Sequence, residues 1–316
     1  MSFCMTSADF ERGDNCSSTT PAGSLSKNLR LLPEDVVKWS ASRKVRNVID
    51  THTHLDFPQY DNDRERVIEH AFSSGIEAMI NIGIDLDSSK RSITLAERYE
   101  SIYAAVAFHP HNASQVNKES LRELEKLASH PKVVAIGEIG LDYFRNLSPA
   151  EAQIKAFREQ LELAERLDLP VVIHIRNAHK EAFEILTDFM NKDRSRQPSD
   201  QQKEKVPGFN GVLHCFSGDE RDALQSLKLG FYLAFNGTLT YKNSRAVQVM
   251  KHLPLDAILI ETDCPYLTPE PLRGKRNEPR LVRRVLEKMT ELFPEHSLEK
   301  LDTVTTGNAK SLFALP

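Results

Sequence analysis

From residue 45 onward, short apolar runs alternate with longer amphipathic segments, and this alternation constrains the fold more than any other feature. The runs that we interpret as strands are residues 45–49, 78–82, 103–108, 133–136, 171–173, 211–213, 231–235 and 257–260. Apolar residues recur at helical spacing in residues 61–74, 148–169, 177–190 and 279–293. Eight such strands predict an α/β fold, a single (β/α)8 TIM barrel over residues 45–316. An open doubly wound sheet is the alternative.

Two segments fall outside this pattern. Residues 1–44 are rich in small polar and acidic residues and predict a mostly disordered N-terminal extension. Residues 191–207 are polar without periodicity and predict a surface loop before the sixth strand.

Composition limits the environment and the partners. No apolar run approaches the roughly 18 residues of a membrane helix, and the N-terminus lacks the pattern of a secretory signal, so no membrane contact is expected. The four cysteines include no CxxC pair, which favours a reducing compartment, the cytoplasm or a eukaryotic nucleus. The net charge of -4 means that any binding of nucleic acid must depend on a local basic patch.

Metal-capable side chains directly follow six of the eight predicted strands. They are His52 and His54, His109 and His111, Glu138, His174, His214, and Asp263. In a barrel, these strand ends lie on one rim, where active sites of this fold occur. One histidine after one strand is usually structural, but the repeated pattern predicts a metal centre. Cys215 and Cys264 follow ligand candidates directly, so strand alternation turns them to the opposite face, and we expect small buried side chains there.

The types of ligand restrict which metal ions this site could bind. Six ligands, drawn from four of these histidines and the two carboxylates, are too many for one tetrahedral zinc ion. They suit two divalent ions that share a carboxylate. Nitrogen and oxygen ligands without thiolates fit Mg²⁺, Mn²⁺, Zn²⁺ or Fe²⁺.

The motifs together resemble one known family. They are DTHTHLD, FHPH, GEIGLDY, VIHIRNA, HCFSG, NGTLTYKN, ETDCPYLTP, RGKRNEP and GNAKSLF. With these motifs the chain resembles the TatD-type metal-dependent deoxyribonucleases of the amidohydrolase-like superfamily. The motifs extend over essentially the whole predicted barrel.

The resemblance implies a role for each matching residue. The ligands of one ion would be His52, His54, Glu138 and Asp263. The ligands of the second would be His174, His214 and the bridging Glu138. His109 and His111 would lie near the scissile phosphate, and the substrate phosphates would contact Arg273, Lys275, Arg276 and Asn277.

The expected activity is hydrolysis of phosphodiester bonds in DNA by water that two metal ions activate, in the manner of a 3'-5' exonuclease. Mg²⁺ is the first expectation, with Mn²⁺ or Zn²⁺ as alternatives, and single strands or frayed ends are the expected substrate. We expect catalytic roles for Asp263, Glu138, His109 and His111, with Asp263 accepting the proton. No obligate protein partner is indicated.

Three alternatives remain open at this point. The same metal site suits a deacylase that acts on D-aminoacyl-tRNA. It also suits an amidohydrolase-type enzyme for small amides, lactones or phosphotriesters, although many of those bridge their metals with a modified lysine where this chain has Glu138. A binding scaffold without activity would require a missing ligand, and every expected ligand is present in the sequence.

Overall fold

Residues 47–194 and 211–316 are described by the computed structural model of this chain, without the side chains of residues 191–194. The predicted extension, residues 1–44, lies outside the described residues. The loop predicted at 191–207 begins later than expected, because a helix continues to Arg194, and the rest of that loop also lies outside them.

Eight parallel strands form one sheet in which each strand pairs with the next along the chain. They are β1 (Val48–Thr53), β2 (Ile76–Ile82), β3 (Ile102–Val106), β4 (Val133–Asp142), β5 (Val171–Arg176), β6 (Gly211–Leu213), β7 (Phe231–Phe235) and β8 (Ile258–Ile260). The sheet closes where the ends of β1 and β8 meet, since Asp263 N donates to His52 O at 3.0 Å and His54 N donates to Cys264 O at 2.9 Å. The predicted (β/α)8 barrel is therefore confirmed.

Helices follow the strands around the outside of the barrel. Within the described residues they are α1 (Arg64–Ser73), α2 (Leu86–Arg98), α3 (Lys118–Ala128), α4 (Ala150–Leu167), α5 (His179–Arg194), α6 (Glu220–Lys228), α7 (Arg245–Met250), α8 (Val282–Leu292) and α9 (Leu298–Phe313). Short 3-10 helices cover Pro58–Tyr60, Pro110–Gln115, Gly237–Thr240, Leu255–Ala257 and Pro279–Leu281. None of the helices in these ranges combines the length and apolarity required to cross a membrane.

Strand alternation divides the core into an outer and an inner layer. Val48, Met79 and Ile173 belong to the large cluster that packs the helices on the sheet. Val172 and Leu259 belong to a second cluster, inside the barrel, which the C-terminal part of α9 completes with Leu312 and Phe313. Thr306 and Asn308 of α9 bind carbonyl groups of Asn47 and Ile258, at the start of β1 and β8. Helix α9 therefore closes the end of the barrel opposite the metal-capable residues.

Candidate metal centre

The structure brings all six predicted ligands together at the carboxyl ends of the strands, with Glu138 in the middle. Oε2 of Glu138 lies 3.5 Å from Nε2 of His52 and 4.0 Å from Nε2 of His54. Its other oxygen, Oε1, lies 2.8 Å from Nδ1 of His174 and 2.7 Å from Nε2 of His214. One carboxylate thus faces a histidine pair with each of its oxygens.

Asp263 completes the first of these two groups. Its Oδ1 lies 3.6 Å from Nε2 of His54 and 3.9 Å from Nε2 of His52. The backbone of Asp263 has a φ of 54°, a left-handed conformation that residues other than glycine rarely adopt. The hydrogen bond from its backbone N–H to His52 fixes this turn against β1.

Alternation along the strands explains why two of the histidines point inward. His174 and His214 each lie two residues after an inner-layer valine, Val172 and Val212, so their side chains share the inner face. β1 and β4 reach the same point through irregular pairing. The register shifts between Asp50 and Thr53 in β1 and between Gly137 and Ile139 in β4.

The donor set fits divalent cations. The Nε2 atoms of His52 and His54 lie 3.2 Å apart. Nδ1 of His54 lies 3.1 Å from the Ile82 carbonyl, so this nitrogen donates the proton and leaves the Nε2 lone pair directed into the site. Nδ1 of His52, on the other side of that ring from Nε2, has no hydrogen-bond partner among the described residues, and Nδ1 of His214 faces Glu261 at 3.5 Å. The Nε2 atoms of His52 and His54, which converge beside the carboxylates of Glu138 and Asp263, form an arrangement that a cation stabilises.

Charge in the site points the same way. Burial acts to raise the pKa of Glu138, but His214 and His109 outweigh it and hold that pKa well below its ordinary value. For Asp263, burial is likewise outweighed, mainly by the hydrogen bond with His54, and the pKa is lowered. Burial lowers the pKa of His52. Ionised carboxylates and a neutral imidazole suit metal binding, whereas for His54, His174 and His214 burial is outweighed by the carboxylates and the pKa is raised, so a bound cation would displace protons from these rings.

His109 lies closer to the metal ligands than the sequence indicated. Its Nε2 is 3.3 Å from Oε1 of Glu138, while its Nδ1 accepts a hydrogen bond of 3.0 Å from the backbone N–H of His111. The proton therefore sits on Nε2 and is donated to Glu138. Burial lowers the pKa of His109 to about 3, so the ring is neutral and orients the central carboxylate.

Asp142 is a site residue that the sequence analysis did not single out. Its Oδ2 lies 2.9 Å from Nε2 of His111 and 3.2 Å from Nε2 of His174. Accepting the Nε2 proton of His174 leaves Nδ1 of that ring directed at Glu138, which is how carboxylates orient metal-binding histidines. The signal was available, because Asp142 follows an apolar residue at the end of β4. The predicted strand ends at residue 136, whereas β4 continues to Asp142.

Glu261 lies behind His214 in the same way. Its Oε1 is 3.5 Å from Nδ1 of His214 and accepts a hydrogen bond of 2.7 Å from the backbone N–H of Cys215. Cys264 is buried and Cys215 is half-buried, and neither belongs to a cluster of potential ligands among the described residues. Burial raises the pKa of Cys215 to about 12, so the thiol is neutral.

The four residues predicted to contact the substrate phosphates, Arg273, Lys275, Arg276 and Asn277, differ in their exposure. Arg273 is half-buried, with its guanidinium 4.3 Å from the centre of the Tyr241 ring, and Lys275 is half-buried next to it. Arg276 is instead buried, and it pairs with both carboxylate oxygens of Asp63 at 2.6 and 2.7 Å.

Asn277 is fully buried. It donates to the carbonyl groups of Thr262 and Tyr266 and thereby fixes the turn after Asp263. Phosphate binding by these loop residues stays a prediction, and the observed contacts of Arg276 and Asn277 are structural.

Comparison with known proteins agrees with this geometry. Residues 49–314 match the family model described as TatD related DNase. The chain is 41% identical over 269 residues to a protein of Bacillus subtilis named uncharacterized metal-dependent hydrolase YabD, covering 85% of this chain and 99% of that protein. It is 37% identical over 273 residues to a protein of Cronobacter turicensis named 3'-5' ssDNA/RNA exonuclease TatD, covering 84% and 97%.

A solved structure extends the comparison to three dimensions. The crystal structure of YJJV, a TatD homolog from Escherichia coli, is similar with a TM-score of 0.75 and 32% identity, covering 85% of this chain and 98% of that one. The match over almost the whole barrel, together with the His and carboxylate centre, shows that the chain belongs to the TatD related DNase family of metal-dependent hydrolases.

Proposed function

We propose that this hydrolase cleaves phosphodiester bonds in DNA, removing nucleotides from single-stranded 3' ends. The observation that carries the proposal is the position of Glu138, whose two oxygens face two separate histidine pairs. A carboxylate shared in this way suits two ions, and paired ions are the usual means of stabilising both oxygens of a phosphoryl displacement. The relative from Cronobacter named as an exonuclease supports the choice of substrate.

The ions would divide the ligands between them. One would bind His52, His54 and Asp263, the other His174 and His214, with Glu138 shared. Divalent ions there would supply Lewis-acid stabilisation of charge on the phosphoryl oxygens and would acidify water. Four imidazoles among six ligands are more typical of Mn²⁺ or Zn²⁺ than of Mg²⁺, which prefers oxygen. We therefore include all three metals in the test, although Mg²⁺ was the first expectation from the sequence.

Side chains of the protein would accept and donate the protons of the reaction. Asp263 is ionised and lies beside His54 in the ligand cluster, so its carboxylate would accept a proton from the attacking water. Glu138 has a hydrogen bond from neutral His109, so it would remain a carboxylate during the reaction. His111, held by Asp142 and less buried than His109, would donate a hydrogen bond to the phosphate or protonate the leaving oxygen.

The test is a product ladder from metal-loaded protein and end-labelled DNA. We expect stepwise shortening of 5'-labelled single strands, slower shortening of blunt duplexes, complete loss in EDTA, and recovery with Mg²⁺, Mn²⁺ or Zn²⁺. Asp188→Asn on the outer face of α5 is a matched control for Asp263→Asn, since its side chain is exposed and pairs only with Arg158 among the described residues.

Two substrates separate the alternatives. Charged D-aminoacyl-tRNA tests the deacylase, and a lactone tests the small-molecule hydrolase. Turnover of either one, with intact DNA in the same preparation, would refute the proposal. DNA cleavage that persists in EDTA would also refute it, whereas cleavage by Asp263→Asn at the wild-type rate would exclude only the role of Asp263 as proton acceptor.

A further inference from the structure

Arg176, at the rim of the barrel next to the candidate metal centre, has no carboxylate partner among the side chains that the structure describes. Arg176 is the last residue of β5, two positions after the ligand His174. Its guanidinium lies 4.0 Å from the centre of the Phe144 ring, and no carboxylate of residues 47–190 or 211–316 pairs with it. Arg276, by contrast, pairs with the carboxylates of Asp63 and Glu278 and donates to the Gln59 carbonyl. Arg176 is therefore the better-placed cation for an incoming phosphate.

The aromatic partner of Arg176 is exposed. Phe144 has 39% of its surface accessible and is one of three large apolar side chains exposed among the described residues. An exposed phenylalanine stacked on an unpaired guanidinium presents a π surface and a positive charge within a few ångströms. This combination matches a nucleobase and its phosphate, since bases stack on aromatic rings and on guanidinium planes.

A single carboxylate ties this pair to the metal centre. Oδ1 of Asp142 accepts hydrogen bonds from the backbone N–H groups of Phe144 and Arg145, at 3.0 and 2.8 Å. Oδ2 of the same group contacts His174 and His111. The loop that carries the exposed ring is thus anchored through Asp142 to a metal ligand, which fixes its position relative to the reacting phosphate.

A cavity of about 390 Å³ lies between the loops that follow β4 and β5. It is lined by Tyr143 and Asn177, the neighbours of Phe144 and Arg176 in sequence, and by Glu181. The Tyr143 hydroxyl donates to Glu181 at 2.5 Å and connects the two walls. Its remaining walls are Ala178, His179, Lys180 and Glu184 at the start of α5, and neither Phe144 nor Arg176 lines it, so the subsite rests on the pair and not on this cavity.

The geometry points to a subsite in which Phe144 and Arg176 bind the nucleotide adjacent to the scissile phosphate. The base stacks on the Phe144–Arg176 pair, and the neighbouring phosphate pairs with the guanidinium. This inference rests on the proposed phosphodiesterase activity and adds a reason for a preference for single strands. A base has to leave the duplex stack before it reaches an aromatic side chain at the rim.

The experiment compares two substrates and three variants. The substrates are an oligodeoxythymidylate and bis(p-nitrophenyl) phosphate, a phosphodiester that has no neighbouring nucleotide. Phe144→Ala removes the ring and Arg176→Gln removes the charge. Leu224→Ala, on the outer helix α6, is the control for loss of an exposed apolar side chain. Thermal unfolding and metal content are measured for each variant, and we expect both to match the wild type.

We expect both site variants to raise KM for the oligonucleotide about tenfold or more, with kcat and the turnover of bis(p-nitrophenyl) phosphate within about twofold of wild type. An oligonucleotide with an abasic nucleotide next to the cleaved bond should have a higher KM than the intact oligonucleotide for the wild type. For Phe144→Ala the two oligonucleotides should have the same KM. The affinity for labelled oligonucleotide is also measured in EDTA at several salt concentrations. In Arg176→Gln, the slope of log affinity against log salt concentration should become shallower by about 0.7. Phe144→Ala leaves that slope unchanged.

The outcomes distinguish the two proposals. Unchanged oligonucleotide KM in both variants, while the wild type cleaves DNA, would overturn the subsite and leave the proposed function standing. Equal losses on both substrates would also overturn it, because a damaged centre acts on any phosphodiester. A wild type that cleaves neither substrate would refute the proposed function and the subsite with it.

Discussion

Replacing Arg276 by methionine separates a structural role from the phosphate contact that the sequence predicts. The guanidinium donates to both oxygens of Asp63 at 2.6 and 2.7 Å and to the Gln59 carbonyl at 2.8 Å. It also lies 4.7 Å from the centre of the Tyr60 ring. Only 7% of the Arg276 side chain and 11% of the Asp63 side chain are accessible, so solvent screens this pair weakly. Methionine keeps the apolar stem and removes every one of these hydrogen bonds.

The expected cost is large. Removing one partner of a buried ion pair costs about 3–5 kcal/mol, because the other charge stays buried without compensation. Asp63 keeps its contact with Arg66 at 2.5 Å, and Glu278, which also contacts Arg276, keeps its contact with Arg280 at 2.8 Å, so we take the lower value, about 3 kcal/mol. At about 2–4 °C per kcal/mol for a domain of this size, Tm falls by about 6–12 °C.

The same pair makes the loss depend on pH. The pKa of Asp63 is lowered, mainly by its hydrogen bond with Arg276. A carboxyl group with a lowered pKa in the folded state stabilises the protein above its unfolded pKa of about 3.9, and this stabilisation disappears as pH falls through the folded pKa. The difference between wild type and Arg276→Met is therefore full at pH 7 and shrinks below about pH 4.

Urea and thermal unfolding of wild type, Arg276→Met, Asp63→Asn and the double variant measure the coupling free energy. Lys275→Met is the control at the adjacent position, where no carboxylate of the described residues pairs with the lysine. We expect the two single losses to be much less than additive. An unchanged Tm in Arg276→Met, combined with a raised KM for oligonucleotides, would refute the structural role and restore Arg276 as a phosphate ligand.

Three further results are expected. Asp263→Asn should abolish turnover and leave Tm within a few degrees, so turnover at the wild-type rate would exclude Asp263 as proton acceptor. Lys275→Glu should raise KM for oligonucleotides without changing metal content, whereas an unchanged KM would make Lys275 an ordinary surface charge. Asp302, near the closed end of the barrel, has its pKa raised to about 6 by burial. The folded state therefore binds a proton that the unfolded state releases between about pH 4 and 6, and stability falls as pH rises through that window. Asp302→Asn should remove this slope in urea unfolding and stabilise the protein at pH 8 by up to about 2 kcal/mol.

The sequence predicts the ligands because their information is local. Each ligand directly follows an apolar strand, and parallel strands in a barrel deliver their ends to one rim. For His174 and His214, alternation from Val172 and Val212 also gives the direction of the side chain. The centre of the site could be predicted without any knowledge of how distant segments pack.

Asp142 shows where this local reasoning stops. β4 was predicted over 133–136, but the strand runs through a register shift to Asp142. The glycines at 137 and 140 interrupt the apolar pattern, so the sequence suggests an end to the strand. In the fold, a Cβ at either position would lie 2.4 Å or less from an atom of β5. These glycines therefore permit close pairing and allow the strand to continue.

Arg176 and Arg276 show why the sequence alone does not identify which arginine is available to a phosphate. Arg276 lies in the densest basic stretch of the chain, which favours phosphate binding, yet the fold pairs it with Asp63, 213 residues away in sequence. Arg176 is an isolated cation in VIHIRNA, and the fold leaves it with an aromatic partner only among the described residues. The free energy that a cation offers to a phosphate depends on which carboxylates already compensate its charge. That quantity is set by contacts distant in sequence, and so the density of lysine and arginine along a chain is a poor guide to the cation that binds substrate.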